Sequence, residues 1–433
     1  MDSRKKLSVT VLGLWHLGSV TAACCAECVS VIGLDFDQKT VSDLNKGVAP
    51  IDEPGLNELL RKGLKRKRLQ FTTNAKEVCA NSDILWVCYD TPVDENDRPN
   101  SQFVLDQLKL CLPHLQKGTT VLISSQLPIG TCKKLEAEYS SLGLSFAYSP
   151  ENLKLGNALE AFKKPERIIL GVRDTKAKRK LTLLLNFFCE RILFMRPESA
   201  EMTKHALNSF LALSITYMNE IARLCELTGA DAKEVEEGLK TDIRIGQRAY
   251  LSPGQAFSGG TLARDVVSLH EVSEAHDEEL ILIPSIKKSN DAHKDWAFKR
   301  LVRFKKQSGE TTVALLGLTY KPFTNTLRRS SAVELCERLL NTGFTVKAFD
   351  PAVTVKDLPS RIQKITLCDR PEEVFQEADV IVISTPWPNF KKLAWANLLK
   401  KMRRQVILDP ASFLRGSLEK NSEIQYFAVG VSS

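Results

Sequence analysis

Apolar residues in this chain concentrate in short runs, some bounded by a polar residue, within Val9–Leu12, Asp83–Cys88, Thr120–Ser124, Val313–Leu316, Asp379–Ile383 and Gln405–Asp409. Most are rich in β-branched residues, and helix-length segments separate them. Such runs predict strands buried on both faces, in a parallel α/β sheet whose helices cover both sides. They also fall into two matching series. Val9–Leu12 breaks at Gly13 as Val313–Leu316 breaks at Gly317. Asp83–Cys88 leads to Thr91-Pro92 as Asp379–Ile383 leads to Thr385-Pro386. Two such series predict an α/β fold with two doubly wound domains, whose ligands sit at the carboxyl ends of the strands.

The middle of the chain follows another period. From Ala200 to Leu227 there is no Pro or Gly, and Ala206, Phe210, Leu213, Tyr217 and Ile221 recur at helical spacing. Gly229 ends the pattern, and Asp231 with Glu234 reads as a capping box that opens a further helix. A long central helix joining the two domains is the simplest architecture. The division expected is residues 1–198, 199–300 and 301–433, with the central part helical.

Composition narrows the class. The 433 residues are 43% hydrophobic and 26% charged, the profile of a soluble globular protein of two or three domains. Arg4, Lys5 and Lys6 before an apolar run imitate a secretion signal, yet Gly13–Gly18 follows with no small-residue cleavage site. Leu17–Leu34 carries Glu27 and several polar residues, which does not fit a membrane span. A cytoplasmic location with no membrane partner is expected. Cys24, Cys25 and Cys28 are the one cluster among eleven cysteines, and no second pair follows at metal spacing. They read as small apolar residues on a helix behind a strand, and no metal is expected. Net charge is +8, with a basic run at Arg61, Lys62, Lys65, Arg66, Lys67 and Arg68. Without interleaved aromatics this reads as a solvated helix end and not as a nucleic-acid surface. The positive balance suits diphosphate ligands.

A strand, then Gly13 and Gly18, then a helix, then Asp35 after the next strand, form a dinucleotide fingerprint in which Trp15 takes the place of the middle glycine. A carboxylate at Asp35 accepts from a ribose 2′-hydroxyl and repels a 2′-phosphate, so NAD is expected over NADP. A helix cap or a surface turn would also explain Asp35.

The segment Phe257–Asp265 resembles the active-site loop of the UDP-glucose/GDP-mannose dehydrogenase family, which reads roughly Phe-Gly-Gly-x-Cys-Phe-x-Lys-Asp. Asp265 keeps the family's aspartate, and Thr261 stands where the family has its cysteine nucleophile. The resemblance covers the whole chain. It implies an N-terminal Rossmann domain, a long dimer-forming helix, a C-terminal Rossmann-like domain and oxidation of a nucleotide sugar at its 6-hydroxyl with NAD. Gly13, Trp15, His16, Leu17, Gly18, Asp35, Thr91, Pro92, Ser125, Thr131 and Arg328 are the cofactor residues it implies. Glu151, Leu153, Lys204, Asn208, Arg244, Phe257, Gly259 and Lys321 are the substrate residues.

Lys204 and Asn208, an i, i+4 pair on one helix face, are implied to steady the oxyanion. Asp265 or Glu151 is the implied base, and Arg244 is implied to cross a homodimer interface to the partner's substrate. Leu155 replaces a second family glutamate, Thr326 an expected aspartate, and Asp409–Ser412 lacks the Arg-Asn of many relatives. A hydroxyl needs a base before it can attack a carbonyl, whereas a thiol is partly ionised near neutral pH. Thr261 therefore shifts the expected second oxidation from a covalent adduct to an aldehyde hydrate. The other readings left open are a single oxidation to an aldehyde or ketone, and a catalytically weak paralogue that binds nucleotide sugar and NAD.

Overall fold

The computed structural model describes residues 7–431 apart from 93, 95–98, 152, 154, 155, 259 and 420. The chain divides into two compact units, Met1–Ala206 and Leu207–Ser433.

In the first unit, strands β1 (Ser8–Leu12), β2 (Ser30–Leu34), β3 (Leu69–Thr72), β4 (Ile84–Val87), β5 (Thr120–Ile123), β6 (Ser145–Tyr148), β7 (Ile168–Val172) and β8 (Ile192–Met195) form one sheet in the order β3-β2-β1-β4-β5-β6-β7-β8. β1 pairs in parallel with both neighbours, so that Val11 lies opposite Gly33 on one side and Trp86 on the other. The strands read from the sequence are where expected, and β4 and β5 are buried at every position. One step departs from the all-parallel expectation, since β6 and β7 are antiparallel. Among its described residues the connection between them holds one helix, Ala158–Lys163. Cys24 and Cys25 are fully buried on the helix His16–Cys25, as the apolar reading requires, and burial pushes the Cys24 thiol up to about 12.

In the second unit β9 (Thr312–Leu316), β10 (Thr345–Phe349), β11 (Thr366–Leu367), β12 (Val380–Ile383), β13 (Val406–Leu408) and β14 (Gln425–Phe427) run in the order β11-β10-β9-β12-β13-β14. All pairings are parallel. The order of the first six strands is thus repeated, as the echo in the sequence predicts. The strand order reverses between β1 and β4 and between β9 and β12, so the glycine turns after β1 and β9 stand at the reversals.

The long helix spans Pro197–Thr228, where proline is tolerated because a first-turn amide has no partner within the helix. Gly229 stops it in the left-handed region at φ 80°. Asp231 caps the next helix, Ala232–Thr241, by accepting from the Lys233 amide, and Arg415 pairs with the same carboxylate and lowers its pKa. No helix among the described residues is long and apolar enough to cross a membrane.

Candidate functional site

The glycine turn after β1 is built for close approach. Gly13 has φ 88°, and a Cβ there would lie 2.8 Å from the Tyr89 amide nitrogen. A Cβ on Gly18 would lie 1.6 Å from the Gly13 carbonyl oxygen. Neither position admits a side chain, so strand, turn and helix close as tightly as a dinucleotide turn requires. Asp35 is half-buried beside the turn, with Oδ2 accepting from the Leu14 amide at 2.7 Å and Oδ1 from the Asp37 amide at 3.0 Å. The cap of the following helix is Asp37, not Asp35, so the capping alternative for Asp35 falls away. Trp15, 53% exposed, sets its indole in solvent, and Leu17 is buried with its amide directed to the Asp90 carboxylate at 3.4 Å. His16 Nε2 is 3.2 Å from Glu53 Oε2. That buried carboxylate also accepts from the Gly156 and Ala158 amides, both at 2.8 Å, and so ties the turn to the segment after Glu151.

The loops after β4 and β5 stand beside each other. Thr91 Oγ1 donates to the Gln126 carbonyl at 2.6 Å, and the Pro92 carbonyl accepts from Asn100 at 2.7 Å. Thr131 Oγ1 donates to the Pro128 carbonyl. The Ser125 hydroxyl is buried with no hydrogen-bond partner among the described residues. Glu201, fully buried on the long helix, accepts from the Gly130 amide at 2.6 Å and the Cys132 amide at 3.0 Å. A closed glycine turn, a carboxylate after β2 and an unpaired hydroxyl after β5 fit NAD.

In the same unit the Lys204 side chain is only 6% exposed, and its ammonium donates to the Glu151 carbonyl at 2.6 Å with Glu151 Oε1 at 3.5 Å. Glu151 Oε2 in turn accepts from the Leu153 amide at 2.7 Å. A buried cation survives only with such partners. Asn152 and Leu155 lie outside the described residues.

The second unit holds another cluster. Asp265 is fully buried and Asn208 donates to it from the long helix, four residues beyond Lys204. Thr261 is exposed as the first residue of the helix Thr261–Glu274, with Gly260 at the cap. Gly259 lies outside the described residues. The loop leading to this helix is held by side chains far away in sequence. Asn290 accepts from the Phe257 amide at 2.9 Å and donates to its carbonyl at 3.0 Å. Asn219 accepts from the Gly254 amide at 2.9 Å and donates to the Gln255 carbonyl at 3.3 Å. His293 Nε2 donates to the Gly254 carbonyl at 2.8 Å, its Nδ1 faces Arg223 at 3.0 Å, and burial lowers its pKa to about 4.

Arg244 is exposed and paired with Asp242, Lys321 lies 5.5 Å from the Tyr320 ring, and Arg328 is exposed. Asp409 is fully buried, and burial raises its pKa even though Tyr426 and the Leu414 amide donate to it.

Asp90, Asn290 and His293 escape a reading of the sequence. Asp90 precedes Thr91-Pro92 at a strand's carboxyl end, which is a usable signal. For Asn290 and His293 there is none, because their partners lie 33 and 39 residues away. No group of three or more potential metal ligands occurs among the described residues.

Comparison with known proteins matches three models of one family. The NAD binding domain of the UDP-glucose/GDP-mannose dehydrogenase family matches residues 7–188, its central domain 198–292 and its UDP binding domain 314–416. The chain is 31% identical to the UDP-glucose 6-dehydrogenase of Rickettsia prowazekii, covering 98% of this chain and 99% of that one. It is 30% identical to UDP-glucose 6-dehydrogenase YwqF of Bacillus subtilis, with 98% of each covered. A solved structure of a UDP-glucose dehydrogenase from Pyrobaculum islandicum superposes with a TM-score of 0.85 at 28% identity, covering 100% of this chain and 99% of that one.

Proposed function

The chain belongs to the UDP-glucose/GDP-mannose dehydrogenase family and is an NAD-dependent nucleotide-sugar dehydrogenase, and on that premise we propose that it oxidises a UDP-glucose-like substrate at the 6-hydroxyl toward the uronic acid, with a second step that uses no thiol. The observation that carries this reading is the buried ammonium of Lys204 beside Glu151. A desolvated cation positioned where an alkoxide develops stabilises the transition state more than the bound alcohol. Bound NAD supplies the hydride acceptor, held by the Gly13–Gly18 turn, Asp35, Thr91, Ser125 and Thr131. Lys204 and Asn208 donate to the sugar oxygen as its proton and the C6 hydride leave. Asp265 or Glu151 takes the proton.

The aldehyde then adds one water, activated by the same carboxylates, to become a hydrate. The hydrate loses a second hydride and a proton to become the acid. Thr261, exposed at a helix start, carries a hydroxyl and not a thiol, which supports a hydrate route over attack by its own side chain. Thr261 also favours a second reading, in which the reaction stops after one oxidation. We further propose a homodimer through the long helix, supported by an exposed apolar stripe of Phe210, Tyr217, Leu224 and Leu227. Arg244 of one subunit would then serve the other's substrate.

Incubation with a panel of nucleotide sugars and NAD tests the reading by NADH yield and product mass. About two equivalents of NADH per sugar are expected, against about one for a single oxidation and almost none for a binding paralogue. Lys204→Ala should lose roughly a hundredfold or more in turnover with NAD binding intact. Normal turnover in that variant would remove Lys204 from the site.

A further inference from the structure

The start of the helix His16–Cys25 holds an anion supplied by the protein itself. Trp15 at the cap makes no side-chain hydrogen bond, and the first turn contains no acid of its own. The acceptor comes from the loop after β4, where Asp90 Oδ2 lies 3.4 Å from the Leu17 amide. Asp90 is also held in place on both sides. Tyr89 is pressed against Gly13, and Thr91 is tied to the Gln126 carbonyl. Asp90 is exposed to solvent. First-turn amides after a glycine turn are the groups that receive a dinucleotide's phosphates, because the helix dipole and the unpaired amides both favour negative charge there.

We propose that Asp90 limits the dinucleotide affinity of this chain, by placing a fixed carboxylate on the amides that the pyrophosphate must use. The inference rests on the reading that NAD occupies this cradle. Two like charges a few ångströms apart near a protein surface oppose binding strongly enough to weaken it roughly tenfold or more. The amide of Leu17 must also be given up by Asp90 before it can serve a phosphate. Asp90 would thus be an affinity-setting residue that stands outside the glycine fingerprint.

Calorimetric titration of the full chain with NAD, and separately with adenosine, tests this in wild type and in Asp90→Asn. The amide keeps the shape, removes the charge, and sits at an exposed position where folding is not at stake. Asp90→Asn should bind NAD roughly tenfold tighter, with adenosine, which carries no phosphate, changed by less than about twofold. The gain should shrink near 1 M salt, where charges are screened within about 3 Å. Unchanged or weaker NAD binding in Asp90→Asn would overturn the inference while leaving the cradle reading intact. An equal gain for adenosine would also overturn it, because repulsion of the pyrophosphate would then not be the cause. If neither protein binds NAD, the cradle reading fails and the inference with it.

Discussion

Replacing Asn290 with alanine shows how much the loop before Thr261 depends on one buried amide. Asn290 is 2% exposed and makes both backbone bonds of Phe257, accepting at 2.9 Å and donating at 3.0 Å. Alanine removes both and leaves a half-buried N–H and C=O to find water or go without. At about 1–2 kcal/mol for each group, the loss is about 2–4 kcal/mol. In a unit of this size each kcal/mol moves the melting temperature by about 2–4 °C, so a drop of roughly 5–15 °C is expected. Asn290→Asp should be no better, because it keeps the acceptor but sets an anion against the Phe257 carbonyl. Asn219 holds the preceding two residues in the same manner, so the Asn219→Ala, Asn290→Ala pair should depart from additivity by about 0.5 kcal/mol or more. Scanning calorimetry measures the transition, and hydrogen exchange at residues 254–258 measures the loop itself. A shift under about 2 °C, with loop exchange unchanged, would refute the clamp.

Three further outcomes are expected. His293 is held by burial at about 4 against an ordinary value near 6.5, so its contribution to stability is full above about pH 6.5 and is lost as pH falls toward 4; His293→Gln should flatten the melting-temperature profile across that window, and an unchanged profile would place the acid sensitivity elsewhere. Asp35→Arg should weaken NAD and raise relative use of NADP, as read from paired titrations, and an unaltered preference would remove Asp35 from the ribose. Thr261→Cys should trap the aldehyde as a covalent adduct that intact-protein mass spectrometry detects as one added sugar nucleotide, dependent on NAD; no adduct with any nucleotide sugar would argue that the loop no longer holds the family's geometry.

What the chain discloses before folding is set by the range of the interactions involved. Strands buried on both faces write themselves as unbroken apolar runs, so β1, β4, β5, β9, β12 and β13 are legible, and so is the long helix, whose period runs on until Gly229. The reversal at β7 is not legible, because a short apolar run reads the same whichever way the strand points. The clamp on Gly254–Phe257 is hidden for a similar reason. An asparagine in a helix looks the same whether it meets solvent or a loop 33 residues back.

The internal echo shows most clearly where pattern stops and geometry begins. Asp35 and Asp350 occupy matching places, each just after the second strand of its sheet and beside the turn at Gly13 or Gly317. In the first unit Asp35 is half-buried and accepts two backbone amides, those of Leu14 and Asp37. In the second unit Asp350 is only 4% exposed. There it accepts from the Leu318 and Thr319 amides, the Thr319 hydroxyl, the Trp387 indole and the Ala352 amide. Four of these five donors converge on Oδ2 and one reaches Oδ1, so Oδ2 is saturated by the fold itself. The same residue in the same register is therefore half-buried with two amide donors in one sheet and buried with five donors in the other. Thr319 and Trp387 together supply three of the five bonds. Burial and the four donors on Oδ2 thus commit the Asp350 carboxylate mainly to holding the turn after β9.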